Sequence, residues 1–364
     1  VAVSCRQALE QADAFAKPLH DRTPSDGADL HKTRAKHADR HEAAPGMIDV
    51  LNLALPYFGL IFLGYACGRL KRIPDTGLAW MNFFIVYVAL PCLFYRIVAK
   101  TPLQELANVS FVFATMLSTA VAFAIGLGIA LVGRRSLPEA VIAGLAGGYG
   151  NIGYMGPGLA LSTLGPQSAA PVALIFCFDS ILLFSLVPLL MAFGGSERRG
   201  FWPQAGTVLR SILLHPFIVA TALGILSAAV HFEPPVALDR LMQFLQNAAA
   251  PCALFVLGVT VALRPLPKLA LDVPAIVPVK LVLHPLIVFF VLAWFGPFSA
   301  LWTYAAVLMA ALPPALNVFV LARQYDVWVE EASGSVLVGT LVSVVTLTSV
   351  MWLIKAGMLP ASPF

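Results

Sequence analysis

Ten stretches of about 20 apolar residues follow one another with only short polar breaks, at 49–68, 77–98, 108–132, 139–163, 168–193, 207–230, 238–262, 272–296, 300–324 and 331–355. That is the length a helix needs to cross a hydrocarbon core. Surface-to-volume scaling leaves no way to bury ten such stretches inside one water-soluble core. Charged residues are 12% of the chain, about half the share usual in soluble domains. The chain therefore reads as an all-α polytopic membrane protein.

The stretches repeat internally. LALPYFGLIFLG and ALPCLF, with Pro56, Gly64 and Pro91–Cys92, return 160 residues later as LLHPFIVATALG and AAPCALF, with Pro216, Gly224 and Pro251–Cys252. The repeating unit holds five apolar stretches, an odd number, so the second copy must enter the membrane from the opposite side. The expected architecture is ten transmembrane helices arranged as two inverted five-helix repeats, 47–193 and 207–364, joined by a short linker, 194–206. Inverted repeats are a signature of secondary transporters, whose substrate site lies between the copies near the bilayer midplane.

Charge sets the expected orientation. The odd-numbered loops hold ten Lys and Arg residues (Arg69, Lys71, Arg72, Arg134, Arg135, Arg198, Arg199, Arg264, Lys268 and Arg323), and the opposite side holds four (Arg96, Lys100, Arg240 and Lys355). The positive-inside rule puts the odd loops in the cytoplasm and both ends of the membrane region outside. Trp80, Trp294, Trp302 and Trp352 fall near helix ends, where an amphipathic indole is favoured.

Residues 1–46 carry seven Lys and Arg and four of the seven His, and Met47 directly precedes the first apolar stretch. They read as a hydrophilic extension, disordered or lying upstream of a start at Met47. His20, His31, His37 and His41 lack metal-ligand spacing, so no metal site is expected. The cysteines form no CxxC pair, and no GxxxxGK[ST] phosphate loop is present, which leaves no route to ATP coupling within the chain. Neither a Ser–His nor an HExxH arrangement appears, and Asp179 has no second mid-membrane carboxylate, so an enzyme is not expected.

Two stretches are interrupted near their centres. The fourth reads GLAGGYGNIGYMGPGLAL, with Gly150, Gly153, Gly156 and Pro157, and the ninth reads ALPPALNVFVLARQY, with Pro313 and Pro314. Glycine and proline there argue against continuous helices, and irregular backbone at membrane depth survives only when buried in protein or lining a wet cavity. The glycines and prolines are expected to shape the crossover. Half-helices beginning at mid-membrane point free N–H groups and a positive dipole end inward, which favours an anion such as a carboxylate. Asn151, Tyr154 and Asn317 are the candidate substrate contacts. Asp179, Lys280 and His284 are candidates for coupling transport to H+ or Na+, with no other cofactor expected. Snorkelling or structural pairing is the plainer role of Lys280, and packing with a satisfied hydrogen bond that of His284 and of His215, each of which precedes a proline.

GNIGYMGPGL, followed far downstream by ALPPALNVFVLARQYDV, resembles the auxin efflux carrier family, which includes the plant PIN-type carriers and bacterial malonate-transporter-like relatives. The resemblance runs from about residue 47 to the C-terminus. It implies inverted repeats with broken, crossing fourth and ninth helices, similar to bile-acid symporter and sodium/proton antiporter folds. It maps Asn151 and Pro157 to the first crossover motif and Pro313 to the second. Asn317 departs from the family, whose plant members tend to have proline there. The resemblance further implies a dimerising scaffold of helices 1, 2, 6 and 7 around a moving domain of the other six. The expected function is secondary active transport of small organic anions, malonate-like or auxin-like, by alternating access. The expected partners are the substrate anion, membrane lipid and a second copy of the chain, and not nucleic acid. The competing reading is a membrane-embedded carboxylate sensor that binds the same ligand without moving it.

Overall fold

A chain crossing a bilayer must satisfy its backbone N–H and C=O groups internally, and the helix does this within a single segment. The computed structural model describes residues 47–71, 74–194, 216–263 and 272–361, with 210 and 214 besides. The extension 1–46, the linker beyond Gly194, and Arg72, His215, Arg264 and Lys268 lie outside the described residues. Among the described residues all regular structure is helical. The helices are α1 (Met47–Leu70), α2 (Thr76–Ala99), α3 (Val109–Val132), α4 (Leu137–Gly148), α5 (Gly156–Leu164), α6 (Ala169–Phe193), α7 (Pro216–Ala229), α8 (Val236–Ala262), α9 (Asp272–Phe295), α10 (Ala300–Ala310), α11 (Leu316–Tyr325) and α12 (Val329–Lys355).

Seven of these, α1, α2, α3, α6, α8, α9 and α12, are long and apolar enough to cross a membrane, and their ends fall close to the apolar stretches. This is a multi-pass membrane protein. Among the other three, the fourth and ninth do not form full-length spans, and the described helix of the sixth is α7. The fourth divides into α4 and α5, and the ninth divides into α10 and α11. Both divide because Gly and Pro at their centres weaken or remove the i→i−4 ladder.

Two spans change pitch. α2 becomes a π-helix over Phe84–Ala89, just before Pro91, and α9 does so over Val279–Leu283, just before Pro285. A proline cannot donate to the carbonyl one turn back, and a wider turn re-pairs the carbonyls around it. In α9 the wide turn carries Lys280.

Small residues set the closest crossings. A β-carbon on Gly64 would collide with the Phe255 carbonyl, and one on Gly258 with the Ile61 carbonyl, so the backbones of α1 and α8 meet directly. A β-carbon on Gly224 of α7 would lie 3.0 Å from the Tyr95 carbonyl and 2.9 Å from Val98 Cβ of α2. Gly64 faces Phe255 and Gly258, while Gly224 faces Tyr95 and Val98, and each residue differs from its counterpart by 160 positions. Packing of this kind, with little hydrophobic drive inside lipid, depends on close backbone approach.

α6 runs through the middle of the bundle, against α2, α3, α4 and α10. Phe176 of α6 stacks on Phe94 of α2 with ring centroids 3.9 Å apart. At one end of the bundle Arg135, between α3 and α4, reaches Asp272 of α9 at 2.6 Å, Glu331 of α12 at 2.9 Å and Glu139 of α4 at 3.3 Å.

Candidate functional site

The two helix breaks are bonded to each other. α4 starts on a capping box, Ser136 with Glu139, and runs to Gly148, after which Tyr149 is extended. α10 ends at Ala310 and Pro313–Pro314 follow. Neither proline has an N–H to give, so the flanking residues carry the contact. Asn151 N–H donates to the Pro313 carbonyl at 2.8 Å, and Ala315 N–H donates to the Tyr149 carbonyl at 3.1 Å. Gly150 and Pro314 thereby form an isolated antiparallel bridge inside the bundle. Backbone groups that two continuous helices would have satisfied alone are satisfied by pairing the breaks, as a water-free interior requires.

The crossover glycines sit where side chains would intrude. A β-carbon on Gly153 would lie 3.0 Å from the Phe176 ring, and one on Gly156 would lie 2.7 Å from Met309 Sδ. One on Gly150 would lie 3.1 Å from Lys280 Nζ. Gly339 of α12 backs Pro314 at comparable range. Pro157 occupies the first turn of α5, where a missing N–H costs nothing.

Asn151 is buried, and its main-chain carbonyl accepts from Met155 and Gly156 N–H at the start of α5. Its side-chain Nδ2 is also buried and has no hydrogen-bond partner among the described residues. Tyr154 is half-buried in the turn between the half-helices. Asn317 is half-buried in the first turn of α11, and the Tyr149 hydroxyl sits against it and against Ser180.

Beside the bridge runs a line of buried polar side chains. Thr119 of α3 donates to Asp179 Oδ2 of α6 at 2.8 Å, and Thr119 Oγ1 lies 3.3 Å from His284 Nε2 of α9. His284 Nδ1 lies 3.1 Å from Lys280 Nζ, which also donates to the Ala310 carbonyl at the last turn of α10. Lys280 is fully buried, so it does not snorkel. Its stem points across the bundle, where the uncapped carbonyls of a half-helix C-terminus favour a cation. A small cavity lies among Thr119, Gly150, Asp179, His284 and Ala310, with about 10 Å³ open to the centre of a water molecule, enough for one.

The model of a family described as "Membrane transport protein" matches residues 49–351. The chain belongs to that family. It is the auxin efflux carrier family that the two interrupted motifs resemble. A protein of Rhizobium meliloti (strain 1021) described as "Putative malonate transporter" is 48% identical over 319 residues, covering 87% of this chain and all of that protein. The "Uncharacterized transporter YfdV" of Escherichia coli (strain K12) is 23% identical over 305 residues, covering 80% of this chain and 93% of its own. An "Uncharacterized transporter" of Methanothermobacter thermautotrophicus is 23% identical over 300 residues, 79% of this chain and 93% of that one.

In this membrane transport protein two sets of the residues picked from the sequence come together, and Tyr154 and Asn317 belong to neither. Gly150, Asn151, Pro313 and Pro314 meet at the bridge, whereas Asp179, Lys280 and His284 form the polar line beside it. Three participants carried little signal. Tyr149 stands two places before Asn151 and could have been suspected from that. Thr119 looks like any hydroxyl that back-bonds within its own helix, as Thr115 and Ser118 do. The Ala310 carbonyl is main chain and has no signature at all.

Proposed function

We propose that this membrane transport protein is a secondary carrier for small carboxylates, malonate-like in size and charge, working by alternating access. The observation that carries the reading is the buried, unpartnered amide of Asn151 beside two bridged helix breaks. A buried amide donor without a partner costs about 1–3 kcal/mol, and a ligand oxygen arriving there removes that cost. The first turns of α5 and α11 add positive dipole ends, with Asn317 and Tyr154 nearby in sequence, which favours an anion. The 48% identity to a protein named for malonate transport supports the substrate class.

In this reading the chain is ten membrane helices in two inverted repeats, with α4–α5 and α10–α11 as the crossing fourth and ninth. The 160-residue correspondence between the α1–α8 and α2–α7 crossings supports it, because inverted copies make the same contact twice. The scaffold would be α1, α2, α7 and α8, the part through which two copies pair, in an inner membrane with both ends of the membrane region outside. Tyr57 of α1 meets Ser162 of α5 at 3.2 Å across the seam between scaffold and crossover. Alternating access would open and close that seam.

The test is uptake and counterflow of radiolabelled malonate in proteoliposomes. Saturable counterflow that Asn151→Ala weakens is expected. Binding without counterflow would make the protein a sensor, and neither binding nor flux for any small carboxylate would remove the substrate class.

A further inference from the structure

The four side chains of the polar line have more chemistry than substrate binding uses. Lys280 and His284 come from α9, Thr119 from α3 and Asp179 from α6, and all four are buried. Counting donors gives the line one direction. A lysine ammonium has three hydrogens and accepts nothing, so His284 Nδ1 must accept from Lys280. The neutral imidazole then carries its hydrogen on Nε2, facing Thr119 Oγ1, a tautomer assigned from its partners. Thr119 has one hydrogen and gives it to Asp179 Oδ2. Every bond points from Lys280 towards Asp179.

We propose that this line is a proton path, and that it loads one proton with each carboxylate substrate, making the carrier a proton–anion symporter. The proposal rests on the reading of the protein as a carboxylate carrier. Transfer along the path balances without any change in heavy-atom bonding. Lys280 Nζ gives a hydrogen to His284 Nδ1, His284 Nε2 gives its own to Thr119 Oγ1, and Thr119 gives its own to Asp179 Oδ2. The ammonium–carboxylate pair becomes a neutral amine and a carboxylic acid, and both ring tautomers are neutral. One further proton from the aqueous side restores the ammonium and leaves Asp179 as the acid, so the line holds one net positive charge. The cavity beside Asp179 and His284 has room for the water that would deliver it.

That charge stands next to the candidate substrate site. Lys280 Nζ is against Gly150, one residue from Asn151 and opposite Pro314. An anion seated there is attracted by the proton-loaded line, and by linkage the anion raises the line's hold on its proton by the same factor. A moving domain that carries both crosses the midplane with less uncompensated charge than one that carries the anion alone.

Among the described residues, the cavity lining holds no acid, lysine, arginine or histidine besides Asp179 and His284, and Tyr149 is the ionisable side chain nearest to it from the break. From the break, Tyr149 faces Ser180 and Asn317. α3 contributes Thr115 and Thr119, α10 faces the cavity with Ala306, Met309 and the Ala310 carbonyl, and Asp179 is the one acid of α6. Glu139 lies in the first turn of α4, and the charged residues of α12, Glu330, Glu331 and Lys355, lie at its ends.

The experiment is malonate binding to the purified full chain over a pH series in which malonate stays a dianion, with proton uptake recorded in weak buffer. The expected result is about a tenfold loss of affinity per pH unit upward while one proton is taken up per malonate. Thr119→Val breaks the line while leaving both ends in place, so the equilibrium slope should stay while proton uptake on malonate addition slows and accumulation driven by a pH gradient falls. Thr119→Ser should restore both. Asp179→Asn, checked for folding by size exclusion, should flatten the slope. Malonate binding with no proton uptake in the wild type, proton-uptake kinetics unchanged in Thr119→Val, an unchanged slope in Asp179→Asn, or accumulation driven by sodium instead, would overturn the proposal while leaving the carboxylate reading intact. No malonate binding at any pH would remove the carboxylate reading itself, and the symport with it.

Discussion

Arg96 holds Asp239 with two parallel bonds, Nε to Oδ1 at 2.9 Å and Nη2 to Oδ2 at 3.1 Å, and so joins the end of α2 to the start of α8. Its remaining Nη1 donates to Gln246 at 2.7 Å, and the guanidinium is nearly buried while Asp239 is partly open to solvent. Exposure of the carboxylate limits the pair's worth to about 1 kcal/mol. Arg96→Ala should lower the melting temperature in detergent by a few degrees, and Arg96→Lys should recover little of it, because an ammonium cannot bond both oxygens and Gln246 in that fork. A coupling energy near zero in the Arg96→Ala/Asp239→Ala cycle would show that the contact contributes nothing.

The glycine crossings should respond steeply to added volume. Gly258→Leu and Gly64→Leu each drive a side chain into the facing backbone, and the cost expected is about 3 kcal/mol or more, enough to lose folded protein on size exclusion. Gly128 of α3 has open space where its β-carbon would go. Gly128→Ala should therefore leave stability unchanged or raise it by about 0.5–1 kcal/mol through helix propensity. Normal yield and melting for Gly258→Leu would mean that α1 and α8 do not meet at these residues.

Asn151 should show opposite signs in stability and affinity. Its side-chain donor has no partner in the folded chain, so Asn151→Ala removes a buried, unsatisfied group, and melting should stay level or rise. Malonate affinity should fall by roughly 10–100-fold, the worth of about 1.5–3 kcal/mol for a hydrogen bond to a charged ligand. Calorimetric titration of the purified variant checks both. An unchanged dissociation constant would take Asn151 out of the site.

Arg135 gathers three carboxylates that would repel one another without it. Arg135→Gln should destabilise the protein at low salt and lose part of that defect at high salt, where the repulsion among Glu139, Asp272 and Glu331 is screened. The partners come from α4, α9 and α12, so loosening should be seen as faster amide exchange at all three helix starts. A defect that salt does not touch would place the damage in packing and not in charge.

Much of the helical layout is legible along the chain, because bilayer thickness dictates the length of an apolar run and lipid forbids any unpaired backbone. α3, α6, α8, α9 and α12 begin and end within about two residues of their apolar stretches. The positions where helices fail are legible too, since Gly and Pro act on the backbone locally: the Gly144–Gly158 run and Pro313–Pro314 mark where α4 and α10 stop. The residue types of the site followed from the cost of a polar group at that depth, which singles out Asn151, Asp179, Lys280 and His284.

Tertiary structure decided which of those groups meet. Nothing local says that Gly150 bridges Pro314, that Lys280 turns inward to the Ala310 carbonyl rather than outward to the surface, or that Thr119 stands between His284 and Asp179. These are contacts between helices far apart in sequence. In a dry interior a polar group bonds to whatever donor or acceptor the packing brings within about 3 Å. The packing is in turn set by where small residues let two helices approach, as at Gly64 and Gly258. Propensity and hydropathy are properties of one segment, whereas a hydrogen-bond partner is a property of the whole bundle.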